Sequence, residues 1–81
     1  MRVHIRFFAG IRETVGRPDV QLDLPPGATP EDVWRRLAVE FPALADRRPG
    51  LSAAVNRRYS AFDVVLREGD EVVFVPPVSG G

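Results

Sequence analysis

The chain has 81 residues, 44% of them hydrophobic, which suits one domain whose small core buries about 60% of the unfolded surface. Its 11 basic residues, all arginine, balance 11 acidic residues, so no net charge attracts nucleic acid or a membrane surface. Cysteine is absent and His4 is the only histidine. Disulfides and thiolate zinc sites are therefore excluded, and a histidine metal site or a serine triad is disfavoured.

The first two predicted elements are strands. Residues 2–9 alternate between apolar and polar side chains, which is typical of a strand with one buried face. Phe8 is unusual, because this large aromatic falls on the face that otherwise carries His4 and Arg6. Residues 20–24 alternate again, and we interpret residues 10–18 as a long loop that joins the two strands into a hairpin.

A helix follows the second strand. Thr29 is the predicted N-cap and Pro30 the first helical residue. Two acidic residues come next, and their negative charges interact favourably with the positive end of the helix dipole. Pro42 ends the helix, because the residue before a proline is pushed out of the helical region. The apolar face of this helix consists of Val33, Trp34, Leu37, Ala38 and Phe41.

The last third of the chain is predicted to form short strands. Residues 43–49 form a loop or a short irregular turn. Residues 51–56 and 63–66 form strands, residues 67–70 form a turn, and residues 71–76 form the last strand. The predicted core consists of Val3, Ile5, Phe7, Leu22, Val33, Leu37, Phe41, Val72 and Phe74.

This order of elements predicts an α+β fold. One helix can cover one face of a mixed sheet of four or five strands, and a right-handed crossover lets the first and last strands lie side by side in parallel. That arrangement is the β-grasp of ubiquitin-like proteins. We expect residues 1–76 to form the domain and residues 77–81 to form an extended tail.

The chain ends in the sequence PPVSGG, from Pro76 to Gly81. Two prolines make a stiff stalk, and the two glycines lack side chains that would block a narrow channel. The four residues after the prolines would extend about 13 Å. We interpret the terminal carboxylate as a reactive group. It is a poor electrophile until activated, and the chain has no glycine-rich phosphate loop, so activation by ATP must occur on a partner enzyme.

Three apolar residues are candidates for binding such partners. Phe8, Tyr59 and Val75 lie, respectively, on the polar face of the first strand, in a polar loop and on the outward face of the last strand. If all three are exposed together, they form an apolar patch beside the tail, and such patches mark partner sites. For Phe8 the alternative is that it only fills a partly covered sheet face.

Three stretches resemble the small sulfur carrier subunit of molybdopterin synthase, the MoaD family of the ThiS/MoaD superfamily. These stretches are RFFAGIRETVG near the start, AAVN in the middle and LREGDEVVFVPPVSGG at the end. The resemblance covers the whole chain, and the last stretch is the specific one. It departs from the family only mildly, at Val75 and Ser79, where the family often has a larger apolar residue and threonine.

The resemblance implies that Gly81 is adenylated by a MoeB-like adenylyltransferase, which uses ATP in trans, and is then converted to a thiocarboxylate. Gly80 would give clearance, and the stalk would consist of Pro76, Pro77, Val78 and Ser79. Phe8, Tyr59 and Val75 fall where the family has docking residues. The tail would enter a MoaE-like large subunit in a heterotetramer and pass sulfur to cyclic pyranopterin monophosphate. The chain alone would bind no cofactor and would not be an enzyme.

Three alternatives stay open. The chain could be a ThiS-like carrier for thiazole synthesis, a ubiquitin-like modifier that forms isopeptide bonds with lysines, or an interaction domain with an inert tail. No apolar run is long enough to span a bilayer and no signal peptide follows Met1, so we expect a cytoplasmic protein without membrane contact.

Overall fold

The computed structural model describes residues 1–77. Its order of elements is strand, helix, strand, helix, a short 3-10 helix and three strands. The bounds are β1 (Arg2–Arg6), α1 (Ala9–Val15), β2 (Asp19–Asp23), α2 (Pro30–Glu40), the 3-10 helix (Pro42–Arg47), β3 (Ser52–Val55), β4 (Arg58–Ser60) and β5 (Glu71–Val75).

The strands form one mixed sheet in the order β2-β1-β5-β3-β4. The first strand, β1, runs parallel to the last, β5, and every other neighbouring pair is antiparallel. The predicted β-grasp fold, with its parallel pairing of first and last strands, is confirmed. Within residues 1–77, neither α-helix is long and apolar enough to cross a membrane.

Helix α2 begins where the sequence predicts, because its first turn satisfies its own backbone donors. The Asp32 backbone N–H donates to the Thr29 hydroxyl at 3.2 Å, and the Thr29 N–H donates to the Asp32 carboxylate at 3.0 Å. This reciprocal pair is a capping box, and loss of such a cap costs about 1 kcal/mol. Pro30 occupies the first helical position and Phe41 caps the other end.

The core lies between α2 and one face of the sheet. Trp34 of α2 meets Phe74 of β5 edge to face, with ring centroids 5.0 Å apart. The predicted core residues are buried, except that Leu22 and Phe41 are only partly buried and pack against the rim of the core. Leu22 lies on the edge strand β2 and Phe41 lies at the end of α2, so each has neighbours on fewer sides.

The structure corrects the prediction of a loop at residues 10–18. Helix α1 occupies most of this segment and buries Ile11 and Val15, which lie one turn apart on the same face. Gly16 ends the helix in the left-handed region, at φ 82, and its N–H donates to the Arg12 carbonyl at 2.8 Å.

The prediction of a strand at residues 63–66 is also wrong. This segment is irregular, and the Leu66 N–H donates to the Ala28 carbonyl at 2.9 Å instead of to a neighbouring strand. Strand β4, which contains Tyr59, replaces part of the predicted loop. It forms a hairpin with β3 through Asn56 and Arg57, whose φ values of 51 and 69 have the positive sign that a tight hairpin turn requires at both positions.

Candidate docking face and tail

The sheet face that points away from α2 holds all three predicted docking residues. Arg6 pairs with Val73, Val73 with Ala54, and Ala54 with Tyr59, so these four residues form one row across the sheet. In the next row Val75 pairs with Ser52. Phe8 lies two residues beyond Arg6, which places it opposite Val75 when the parallel register is continued.

The degree of exposure differs along this face. Tyr59 is 75% exposed and Phe8 is 45% exposed, whereas Val75 is half-buried. Neighbouring strands lie about 4.8 Å apart, and the step from β1 to β4 crosses three such spacings. Arg6 and Tyr59, at the two ends of the row, are therefore about 14 Å apart. Val73 and Ala54 fill that interval. We call Phe8, Ala54, Tyr59, Val73 and Val75 the outer apolar face.

Sequence reasoning missed the part that Ala54 and Val73 play in this face. The alternation in β5 places Val73 beside Val75 on the outward side, and this was the available signal. Ala54 joins them only through its pairing with Val73 on one side and Tyr59 on the other. These are long-range pairings that no local pattern of residues encodes.

Charged groups occupy the end of the same sheet face that lies away from the tail. Glu71 lies between two arginines, with its carboxylate oxygens 3.9 Å from Arg6 and 3.8 Å from Arg57. Partly exposed pairs at such distances are worth about 1 kcal/mol or less. The Arg6 guanidinium also lies 5.5 Å from the centroid of the Phe8 ring, a cation–π distance. Arg6 therefore marks the boundary between the charged end and the apolar end.

In the part of the chain that the structure describes, His4 and the acidic side chains form no group of three or more that could hold a metal ion. His4 Nε2 lies 2.9 Å from the Asp19 carboxylate, across the pairing of β1 with β2. His4 is thus a partly exposed residue of β1 whose ring is held by this acidic partner.

The tail starts where the sheet ends. Ser52 and Val75 form the last pair of β3 and β5, and Pro76 and Pro77 follow. Proline has no backbone N–H to donate, so it cannot extend the ladder. The predicted roles of Val78, Ser79, Gly80 and Gly81 lie outside the described residues.

Arg48, in the turn that precedes β3, forms an ion pair with Glu31 of α2. The Arg48 guanidinium donates to the Glu31 carboxylate at 2.7 and 3.1 Å, and it lies 3.7 Å from the centroid of the Phe62 ring. The hydrogen bond from Arg48 lowers the pKa of Glu31 below its ordinary value. Phe62 in turn stacks on Phe74 of β5, with centroids 6.1 Å apart, so Arg48 links α2 to the strand that bears the tail.

Comparison with known proteins gives consistent matches over the whole chain. The model of the ThiS family matches residues 5–81. The molybdopterin synthase sulfur carrier subunit of Escherichia coli (strain K12) is 41% identical over 98% of this chain and 99% of its own length.

Two solved structures have the same fold. The putative molybdopterin converting factor, subunit 1, from Pyrococcus furiosus is 28% identical with a TM-score of 0.84, over 96% of this chain and 99% of that one. Small archaeal modifier protein 1 of Haloferax volcanii is 26% identical with a TM-score of 0.85, over 95% and 98%.

Proposed function

The chain belongs to the ThiS family, as its resemblance to the ThiS/MoaD superfamily predicted, and we propose that it is the sulfur carrier subunit of a molybdopterin synthase. The observation that carries this proposal is the end-to-end similarity to proteins named as such subunits, which covers almost the full length of both chains. The family match extends to residue 81 and so includes the tail.

In this proposal the chain supplies a carboxylate and a protein partner supplies the activation. The carboxylate of Gly81 attacks the α-phosphorus of ATP on a MoeB-like adenylyltransferase, and pyrophosphate leaves. A hydrosulfide equivalent then attacks the acyl carbon, and AMP departs with the electron pair of the broken C–O bond. The product is a thiocarboxylate, in which sulfur has replaced one oxygen of the original group.

The outer apolar face is proposed to hold the chain on its partners while the tail reacts. A MoaE-like large subunit would cover Phe8, Tyr59 and Val75 and receive the tail, in a heterotetramer that passes sulfur to cyclic pyranopterin monophosphate. The support is the position of this face at the end of the sheet where the tail leaves. Apolar surface beside a reactive terminus gives binding energy without taking part in the chemistry.

The proposal is tested by intact mass. The chain is incubated with the activating enzyme, ATP and a sulfur source, and its mass should rise by about 16 Da because sulfur replaces oxygen. The chain has no cysteine to hold the sulfur elsewhere. A variant lacking Gly81 is the control, and it should stay folded and gain no mass, because a terminal residue contributes little to stability. Molybdopterin formed at the full rate by that variant and the large subunit would disprove the proposal.

A second candidate function is that of a protein modifier. The similarity to small archaeal modifier protein 1 favours it, and the first chemical step, activation of the terminal carboxyl, would be the same. The two functions differ in the acceptor. If the activated chain becomes attached through Gly81 to lysines of other proteins and forms no molybdopterin with the large subunit, the modifier function is correct.

A further inference from the structure

The root of the tail lies against a turn at the start of β3. Ser52 pairs with Val75 in the antiparallel ladder between β3 and β5. Continuing this register by two residues on each strand places Gly50 opposite Pro77. The described contacts agree, because the side chain of Pro77 is the nearest group to the position that a side chain of Gly50 would occupy.

Gly50 permits this close approach because it has no side chain. A Cβ atom on Gly50 would lie 3.2 Å from Pro77 Cγ, which is closer than ordinary van der Waals contact, and 3.4 Å from Pro77 Cβ, at the lower limit of such contact. Gly50 also has φ 78, a conformation that glycine adopts at little cost. A side chain at this position would therefore push the proline ring away from the turn by a few tenths of an ångström.

The turn that carries Gly50 is fixed to the rest of the domain on both sides. The hydrogen bond from the Leu51 N–H to the Arg48 carbonyl, at 3.1 Å, closes the turn itself, and the Leu51 side chain, buried in the core, holds one side of it. The Arg48 side chain binds Glu31 of α2 and covers the Phe62 ring. Because these contacts anchor the turn, it offers the tail a surface of fixed position.

We propose that the turn from Arg48 to Leu51 is a seat that sets the direction in which the tail leaves the domain, with Gly50 as its positioning residue. The proposal rests on the proposed function in one respect, namely that the tail bears the reacting carbonyl. The diproline transmits the direction, because its fixed φ angles make the stalk stiff. A shift of about 1 Å at a reacting centre can cost about 100-fold in rate.

The test compares Gly50→Ala with Gly69→Ala. Gly69 has φ 83 and no atom within 4 Å of the position of an added Cβ, so it shares the backbone strain without the contact. It also lies before β5, at the end of that strand away from the tail. Each variant should lower Tm by about 4–8 °C, the shift expected when one strained residue is introduced into a domain of this size.

The sulfur-transfer rate should separate the two variants. With thiocarboxylated chain and saturating large subunit, Gly69→Ala should stay within about twofold of the unchanged chain, whereas Gly50→Ala should fall by about tenfold or more. In a Pro77→Ala background, which removes the ring carbon at Cγ, the additional effect of Gly50→Ala should shrink to about twofold, because two residues that act through one contact are not additive. Equal rates for Gly50→Ala and Gly69→Ala would overturn the proposal.

A structural measurement keeps this proposal separate from the proposed function. Nuclear Overhauser contacts between the Gly50 Hα protons and the Pro77 ring protons should be present in the unchanged chain. Their absence from the unchanged chain would overturn the seat whatever the protein does. The residual dipolar coupling of the Val78 N–H bond, which reports the direction of that bond relative to the domain, should change in Gly50→Ala but not in Gly69→Ala. If the contacts are present but the chain never accepts sulfur, the proposed function fails. The seat is then upheld if the Val78 coupling changes in Gly50→Ala but not in Gly69→Ala, and it is overturned otherwise.

Discussion

Replacing Tyr59 by alanine should weaken binding to the large subunit without unfolding the domain. Tyr59 is 75% exposed, and a tyrosine of about 200 Å² would thus offer about 150 Å² to a partner, of which about 120 Å² is apolar. At about 25 cal/mol per Å², full coverage of that surface is worth about 3 kcal/mol, or about 100-fold in Kd. Because only a quarter of the side chain is buried in the free chain, the cost to folding is small.

The assay is calorimetric titration of the large subunit with each variant, together with a thermal melt. Val39→Ala is the matched control, because Val39 is 83% exposed but lies on α2, on the side of the domain opposite the outer apolar face. The control should bind within about twofold of the unchanged chain, since surface substitutions outside an interface usually have small effects. If Tyr59→Ala binds as tightly as the control while Tm is unchanged, the outer apolar face is not the docking surface.

Three further predictions concern the domain itself. Leu37→Ala should cost about 3 kcal/mol by opening a cavity beneath α2, seen as a fall in Tm of about 12–24 °C; a fall under 4 °C would contradict the core described for this fold. Thr29→Ala removes the cap of α2 and should cost about 1 kcal/mol in chemical denaturation, whereas the half-buried control Thr14→Ala should cost less, because the Thr14 hydroxyl caps no helix and donates only to the Gly10 carbonyl one turn earlier in α1. Glu31→Gln removes the ion pair with Arg48 and should destabilise the domain by about 0.5–1 kcal/mol at neutral pH. The effect is small because the pair is about a third exposed. Since the folded-state pKa of Glu31 is lowered, this stability is present above the unfolded pKa of about 4.3 and is lost as pH falls through the folded value. The difference in Tm between Glu31→Gln and the unchanged chain should therefore vanish in acid, and a difference that stays constant down to pH of about 2 would contradict this cause.

The elements that sequence reasoning found are those whose signals are local. Helix α2 has its N-cap, its first-position proline and its apolar spacing within one stretch of residues, and it was predicted correctly. Helix α1 has no such signals: Phe8 supplies no side-chain cap, and the first turn contains no acidic residue. Its seven residues are too few to be stable alone, so it depends on burying Ile11 and Val15 in a core that the rest of the chain builds.

The wrong predictions in the last third of the chain arise because tertiary contacts, rather than the local pattern of residues, decide which segments pair as strands. Residues 63–66 include two adjacent valines, which favour a strand, but only Leu66 among these four residues is buried and its N–H is taken by the Ala28 carbonyl. Strand β4 has no apolar alternation and forms because the hairpin turn at Asn56 and Arg57 returns the chain along β3. Tertiary contacts decide both cases, and a single sequence does not display them.

The parallel pairing of β1 and β5 explains why Phe8, the start of the tail and its proposed seat lie at one edge of the sheet. Parallel strands end at the same edge of a sheet, so Phe8, just after β1, and Pro76, just after β5, leave the sheet side by side. Strand β3 is antiparallel to β5, and therefore its first residues, with Gly50 before them, lie at that same edge. The helix covers the other face and supplies the core. In this topology the surface that would bind a partner and the segment that would react lie together without any added element.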